Sequence, residues 1–256
     1  MTETNNAIVV IPARLASTRL PDKPLAEIAG APMIVQVWRR AMEADVGPVV
    51  VACAEDAIAD AVRQAGGEAV LTDPDHPSGS DRIFEAVERF DPDRRYATVI
   101  NLQGDLPTIA ANAVRAVLEP LDDPAVDIAT LVAEISEAEE RTNPNVVKAV
   151  LAMAPGARLG RALYFSRATV PWSDDEVEGQ GGPLYHHIGI YAYRREALGS
   201  FIALPPGVLE RRERLEQLRA LENGMVISAA CVDTVPLGVD TPADLERARA
   251  ILAAAG

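Results

Sequence analysis

Cysteine is scarce, with Cys53 and Cys231 the only two among 256 residues. Both fall in apolar runs without metal-type spacing, so they read as reduced thiols on strands. No apolar run approaches the roughly 20 residues of a membrane-spanning helix. The opening Met-Thr-Glu-Thr-Asn-Asn also lacks the basic start of a signal peptide. Together these absences point to the cytoplasm and away from a membrane. Positive charge is in short supply as well: 24 Lys and Arg stand against 38 Asp and Glu, a net charge of −14. A field of that sign discourages nucleic acid and anionic membranes as partners. A G-x-x-x-x-G-K-[ST] loop, a G-x-G-x-x-G turn after the first strand and an H-E-x-x-H pair are all missing. Their absence argues against a P-loop ATPase and a nicotinamide enzyme.

What is present is a globular composition, 48% hydrophobic and 24% charged. The first half alternates strand-like and helix-like runs: AIVVIP, then MIVQVWRRAMEA behind Pro32 at the first helical position, PVVVACA, EDAIADAVRQAGG, EAVLT, RIFEAVERF, YATVINLQ and TIAANAVRAVLEPL. This order implies an α/β fold with a mainly parallel sheet and helices on both faces. In the second half, DIATLVAEI, NVVKAVLA and MVISAACV read as strands, and LYHHIGIYAYRREALGSF as a strand running into a helix. Leu163 to Pro171 reads as a short turn or helix, EGQGG at 178–182 as a loop, and RERLEQLRALENG as one helix. The last helix is expected to begin with Thr241 as its cap and Pro242 at its first position.

Against the acidic background, Arg14, Arg19 and Lys23 crowd into one loop after the first strand, stiffened by Pro21 and Pro24. Guanidinium groups grip phosphate oxygens in pairs and an ammonium adds a point charge, so three such cations suit a triphosphate. A solvated basic loop is the plain alternative. Asp105, in LQGDLP at the end of a strand, suits a hard cation beside substrate phosphates; capping a turn would also account for it. Asp240, in GVDTPADL, fits metal binding or helix capping equally well. His186 and His187 are neighbours on a strand, so only one of them can face a site. Arg167 and Glu216-Gln217 are polar positions beside apolar runs.

IPARLASTRLPDKPLAEIAG, HPSGSDR, NLQGD, NPNVVK, ALYFSRATVPW, HHIGIYAYR, RERLEQLRALENG and VPLGVDTPADLERAR occur in this order. From about residue 7 to about 250 the chain resembles the 3-deoxy-manno-octulosonate cytidylyltransferases, or CMP-Kdo synthetases. The resemblance implies a Rossmann-like nucleotidyltransferase fold, one domain over 1–256 in which about 160–210 form a smaller dimerisation and sugar-binding part, and a homodimer. It implies the reaction CTP + Kdo → CMP-Kdo + diphosphate, which serves lipopolysaccharide assembly, with Mg2+ as cofactor. By the matching motifs, Arg14, Lys23 and Asp105 would be catalytic, with Arg14 and Lys23 on the CTP phosphates and Arg19 supporting them. Ala13, Ser78, Gly79, Ser80 and Gln103 would line the cytosine and ribose site, and Asp105 and Asp240 would hold Mg2+. Arg167, His187, Tyr193, Glu216 and Gln217 would line the Kdo pocket, with Arg167 facing the sugar-acid carboxylate. One departure stands out: Leu106 takes the place of the acidic residue that often follows this Asp in the family, leaving Asp105 as the motif's only carboxylate. The open rivals are a cytidylyltransferase for another sugar acid, such as a sialic acid or a modified Kdo, and a non-catalytic nucleotide-binding module.

Overall fold

A computed structural model describes residues 6–16, 20–173 and 182–254. Arg19 and most of the expected loop at 178–182 lie outside them. The strands are β1 (Ala7–Ala13), β2 (Glu27–Ile28), β3 (Ala31–Pro32), β4 (Val49–Cys53), β5 (Glu68–Leu71), β6 (Thr98–Asn101), β7 (Ile128–Glu134), β8 (Lys148–Ala152), β9 (Leu159–Ser166), β10 (Tyr185–Arg194) and β11 (Ile227–Val232). The described residues fall into two compact units. One runs up to Arg115 and adds Tyr193–Ile202 and the chain from Pro236; the other takes Ala116–Ala192 and Ala203–Val235.

In the first unit the strands run β5-β4-β1-β6, and every pairing among them is parallel. Strands buried on both faces must be apolar at nearly every position, which is why AIVVIPA and VVVAC read so plainly. The helix Met33–Glu43 buries Met33, Ile34, Val35, Val37 and Ala41. It starts one residue later than expected, with Pro32 as its cap rather than its first residue. The helix Gly79–Phe90 starts earlier than RIFEAVERF, because the Ser78 hydroxyl accepts the Asp81 N–H at 3.2 Å and closes the first turn. The final helix, Pro242–Ala254, begins as expected: the Asp244 N–H donates to Thr241 Oγ1 at 3.2 Å. Its Leu245, Ala248 and Leu252 join Val239, Ile28 and Met33 in one buried cluster.

In the second unit β7 and β11 are parallel, while β9 runs antiparallel to both β11 and β8. The order β10-β7-β11-β9-β8 returns on itself through an added β10–β8 pairing. Along the chain three expectations change. Residues 163–166 are strand, not turn or helix: in LGRALYFS, Gly160 and Ala162 are buried while Leu159, Arg161 and Leu163 face outward. The expected helix over RERLEQLRALENG is two shorter helices, Val208–Glu213 and Leu218–Glu222, separated where Arg214 adopts a left-handed φ of 56°. The Arg219 guanidinium then folds back on the Glu210 carboxylate at 2.7 and 2.9 Å. The run TIAANAVRAVLEPL gives only the helix Ala111–Ala116 and a 3-10 turn at Glu119–Asp122, where Pro120 lacks the N–H a helix would use. Among the described residues no helix is long and apolar enough to cross a membrane.

Candidate active site

Parallel α/β sheets bind ligands beyond the carboxyl ends of their strands. The first unit has a cavity of about 470 Å3 there, lined by Ala13 and Arg14 after β1 and by Gln103, Gly104 and Asp105 after β6. Lys23, Ser78, Gly79 and Asp240 also line it. Its centre is Lys23. The ammonium donates to Asp105 Oδ2 at 2.9 Å, to Asp240 Oδ1 at 3.1 Å and to the Val239 carbonyl at 2.9 Å, which uses all three of its donors. Burial by itself would lower the Lys23 pKa, but Asp105 and Asp240 together outweigh it and raise the value above normal. The Val239 N–H donates to the Asp105 carbonyl at 2.9 Å, so the two aspartate segments are also joined through their backbones.

Close packing sets this geometry. A Cβ at Gly104 would meet the Pro12 carbonyl at 2.8 Å, so the chain carrying Asp105 can lie against β1 only without a side chain there. Leu106, next along, is 8% exposed and packs inward, so no second carboxylate enters the cavity from this motif. The cationic loop is held from another strand end, since the Leu15 N–H donates to Glu55 Oε1 at 3.1 Å. Ser78 donates to Asp81 Oδ2 at 2.6 Å, and Gln103 Nε2 to Asn101 Oδ1 at 3.0 Å. Ser80 is 2% exposed and is not among the lining residues.

Sequence reasoning missed two ionisable side chains of the cavity, both in HPSGSDR. Arg82 is 2% exposed and donates to Thr72 Oγ1 at 2.6 Å. Burial lowers its pKa, and Arg14 pushes the same way against Glu55. His76 Nε2 lies 2.5 Å from Glu85 Oε2. Arg82 lies four positions after the Ser78 cap, hence on the same helix face, and that spacing was the available signal.

The second unit carries most of the residues expected at the acceptor site. Arg167 donates through Nε to Glu213 O at 2.9 Å, through Nη1 to Pro144 O at 3.0 Å and through Nη2 to Arg214 O at 3.4 Å. His187 is buried and its neighbour His186 lies 3.6 Å from Glu140, so the two histidines do diverge. Gln217 is 7% exposed, and among the described residues its Nε2 has no hydrogen-bond partner. Glu216 also has a buried oxygen. Tyr193 belongs to the first unit, 3% exposed, with its ring 6.1 Å from that of Phe201.

The family profile described as cytidylyltransferase matches residues 8–227. The 3-deoxy-manno-octulosonate cytidylyltransferase of Rhodospirillum centenum is 70% identical over 247 residues, 96% of this chain and 93% of that protein. That of Rhodospirillum rubrum is 69% identical over 246 residues, 96% of this chain and 95% of the relative. This chain belongs to the 3-deoxy-manno-octulosonate cytidylyltransferase family. A solved structure of CMP:2-keto-3-deoxy-manno-octonic acid synthetase complexed with CTP is 40% identical. It has a TM-score of 0.88 and covers 98% of this chain and 100% of its own. A 4-diphosphocytidyl-2C-methyl-D-erythritol synthase from Anaerococcus prevotii, 11% identical with a TM-score of 0.63, covers 98% of this chain and 99% of its own and shares the fold alone. The family and the nucleotidyltransferase fold indicated by the sequence motifs are thereby borne out. As a cytidylyltransferase family member, the chain places its motif carboxylates Asp105 and Asp240 on one ammonium. Among the described residues, no three His, Cys, Asp or Glu side chains converge to hold a metal ion.

Proposed function

We propose that this chain transfers CMP from CTP to the anomeric 2-hydroxyl of Kdo and releases diphosphate. The observation that carries the reading is Lys23 clasped by Asp105 and Asp240 at the strand ends of a parallel sheet, in a chain 70% identical to an enzyme bearing that name. Both substrates are anions, so positioning and electrostatics dominate the chemistry. In this reading Arg14 and Lys23, supported by Arg19, neutralise the triphosphate. Ala13, Ser78, Gly79 and Gln103, which line the cavity, hold the cytosine and ribose, while the buried Ser80 supports the turn between them. Fixed cations of this kind stabilise the charge that builds on the departing diphosphate.

Mg2+ fits the carboxylate pair. Asp105 and Asp240 already share one cation, the Lys23 ammonium, and oxygen donors suit a hard ion. Two protein carboxylates are also what Mg2+ commonly takes when substrate phosphates and water complete its shell. Bound there, Mg2+ would polarise phosphate oxygens and lower the pKa of the attacking hydroxyl.

For the acceptor, Arg167 spends three of its five N–H groups on backbone carbonyls, leaving 5 − 3 = 2 for the Kdo carboxylate. Gln217 Nε2, without a hydrogen-bond partner among the described residues, suits a ligand oxygen, and His187 and Glu216 belong to the same unit. A cytoplasmic homodimer belongs to the same reading. The outward Leu159 and Leu163 of β9, 41% and 54% exposed, suit a partner surface.

Mixing the protein with CTP, Kdo and Mg2+ and measuring diphosphate tests the proposal. Release with Kdo and none with a sialic acid supports it. Release with sialic acid alone, or with neither acceptor, overturns it.

A further inference from the structure

His187 sits in a chemically one-sided setting. Its Nε2 lies 3.0 Å from Thr130 Oγ1 on β7. The same hydroxyl lies 2.8 Å from the Ile190 carbonyl and 3.2 Å from the Ile188 carbonyl. A hydroxyl has one proton, and carbonyl oxygens only accept. The Thr130 proton therefore goes to a carbonyl, and toward the imidazole its oxygen can act only as an acceptor. Nε2 must carry a hydrogen.

Burial pushes the His187 pKa down to about 3, with His186 adding to the effect, so the ring is neutral near pH 7. A neutral imidazole protonated at Nε2 keeps a bare lone pair on Nδ1. Among the described residues Nδ1 has no hydrogen-bond partner. The ring cannot readily turn to exchange its nitrogens. Phe165 meets it edge-on at 4.8 Å and Tyr191 lies 5.5 Å away.

From this geometry we infer that Thr130 is a positioning residue that locks His187 as a hydrogen-bond acceptor, so that Nδ1 recognises a hydroxyl of the acceptor sugar. The inference rests on the proposed place of His187 in the Kdo site. A carboxylate offers no proton to Nδ1 and is turned away, which leaves the sugar-acid carboxylate to a cation such as Arg167. A ring held neutral this strongly is also a poor base, so His187 selects the acceptor and does not deprotonate it.

Nitrogen-15 NMR of the full chain with labelled histidine reads the tautomer directly. The expected spectrum has His187 neutral with hydrogen on Nε2; hydrogen on Nδ1, or a doubly protonated ring, at pH 7 overturns the inference. Thr130→Val keeps the side-chain volume and removes the hydroxyl, whereas Thr130→Ser retains it. The Val variant should raise KM for Kdo roughly tenfold, leave KM for CTP unchanged and move kcat little, and Ser should restore wild-type values. Among Kdo analogues each lacking one hydroxyl, one should lose as much in the wild type and lose nothing further in Thr130→Val. An unchanged KM for Kdo, or equal rises in both KM values, overturns the inference. Should Thr130→Val fail to fold, the wild-type spectrum still decides. Failure of the functional reading looks different: the wild type then releases no diphosphate from CTP and Kdo, whatever the His187 spectrum shows.

Discussion

Asp105 and Asp240 share one ammonium, with Lys23 Nζ 2.9 Å from the first carboxylate and 3.1 Å from the second. Two like charges brought this close need a cation between them, and the Lys23 side chain, 16% exposed, supplies it. In a chain of net charge −14, the cavity is thus a place where anionic side chains and cations are balanced locally before any substrate arrives.

Asp105→Asn keeps the shape of the side chain and removes its charge. Turnover of CTP with Kdo should fall by about two to four orders of magnitude, while the thermal midpoint moves by only a few degrees. Diphosphate release at matched Mg2+ measures the first and thermal unfolding the second. Near-normal turnover would reject the catalytic role.

Gly104→Ala would place a Cβ 2.8 Å from the Pro12 carbonyl. The obstacle is backbone, so strand and loop must part. We expect a loss of about 1–3 kcal/mol in urea unfolding, together with reduced turnover because Asp105 follows directly. An unchanged unfolding midpoint would show that the close approach is relaxed in solution.

Asp91 is fully buried and bonded to Arg195 Nη1 at 2.6 Å, with Arg195 itself 4% exposed. Burial would raise the Asp91 pKa, but the N–H groups of Tyr96 and Arg95 and the two guanidinium groups hold it down to about 2, from 3.8. A depressed folded value stabilises above the unfolded pKa and loses that contribution as pH falls through the folded one. Asp91→Asn should therefore cost about 3–5 kcal/mol at pH 7, leaving Arg195 its ion pair with Glu88. The gap to wild type should narrow between pH 3.8 and 2. A gap independent of pH in urea titrations would contradict this.

Lys148 is fully buried, and its ammonium donates to the carbonyls of Asn143 at 2.7 Å, Val146 at 2.8 Å and Arg167 at 3.4 Å. Lys148→Met fills similar space but strands three acceptors, at a cost of about 2–5 kcal/mol. Because one of those carbonyls belongs to Arg167, KM for Kdo should rise while KM for CTP stays put. Steady-state kinetics with each substrate varied in turn, beside a denaturant titration, checks both parts.

Some elements were legible for a simple reason. Parallel strands buried on both faces leave unbroken apolar runs, and AIVVIPA and VVVAC could hardly be read otherwise. β9 escaped recognition because its outward positions include Leu159 and Leu163, which blurs the alternation that marks a strand. RERLEQLRALENG has strong helical propensity, yet the Arg219–Glu210 ion pair and the left-handed Arg214 turn it back on itself. Propensity is a weak prior beside such contacts. Arg82 went unnoticed since its burial depends on Thr72, ten residues away and on another segment.

By itself, the sequence determined the α/β class, the family, the cationic loop after β1 and an aspartate in each of two separate motifs. Those are local properties, carried by short runs and spacing. Only the tertiary structure decided that Asp105 and Asp240 meet. Burial of Val239 and Leu245 against Ile28 and Met33 brings the end of the chain back to Lys23, while the bare Gly104 lets Asp105 lie against β1. It likewise brought the Thr130 hydroxyl, 57 residues away in the chain, to within 3.0 Å of His187 Nε2.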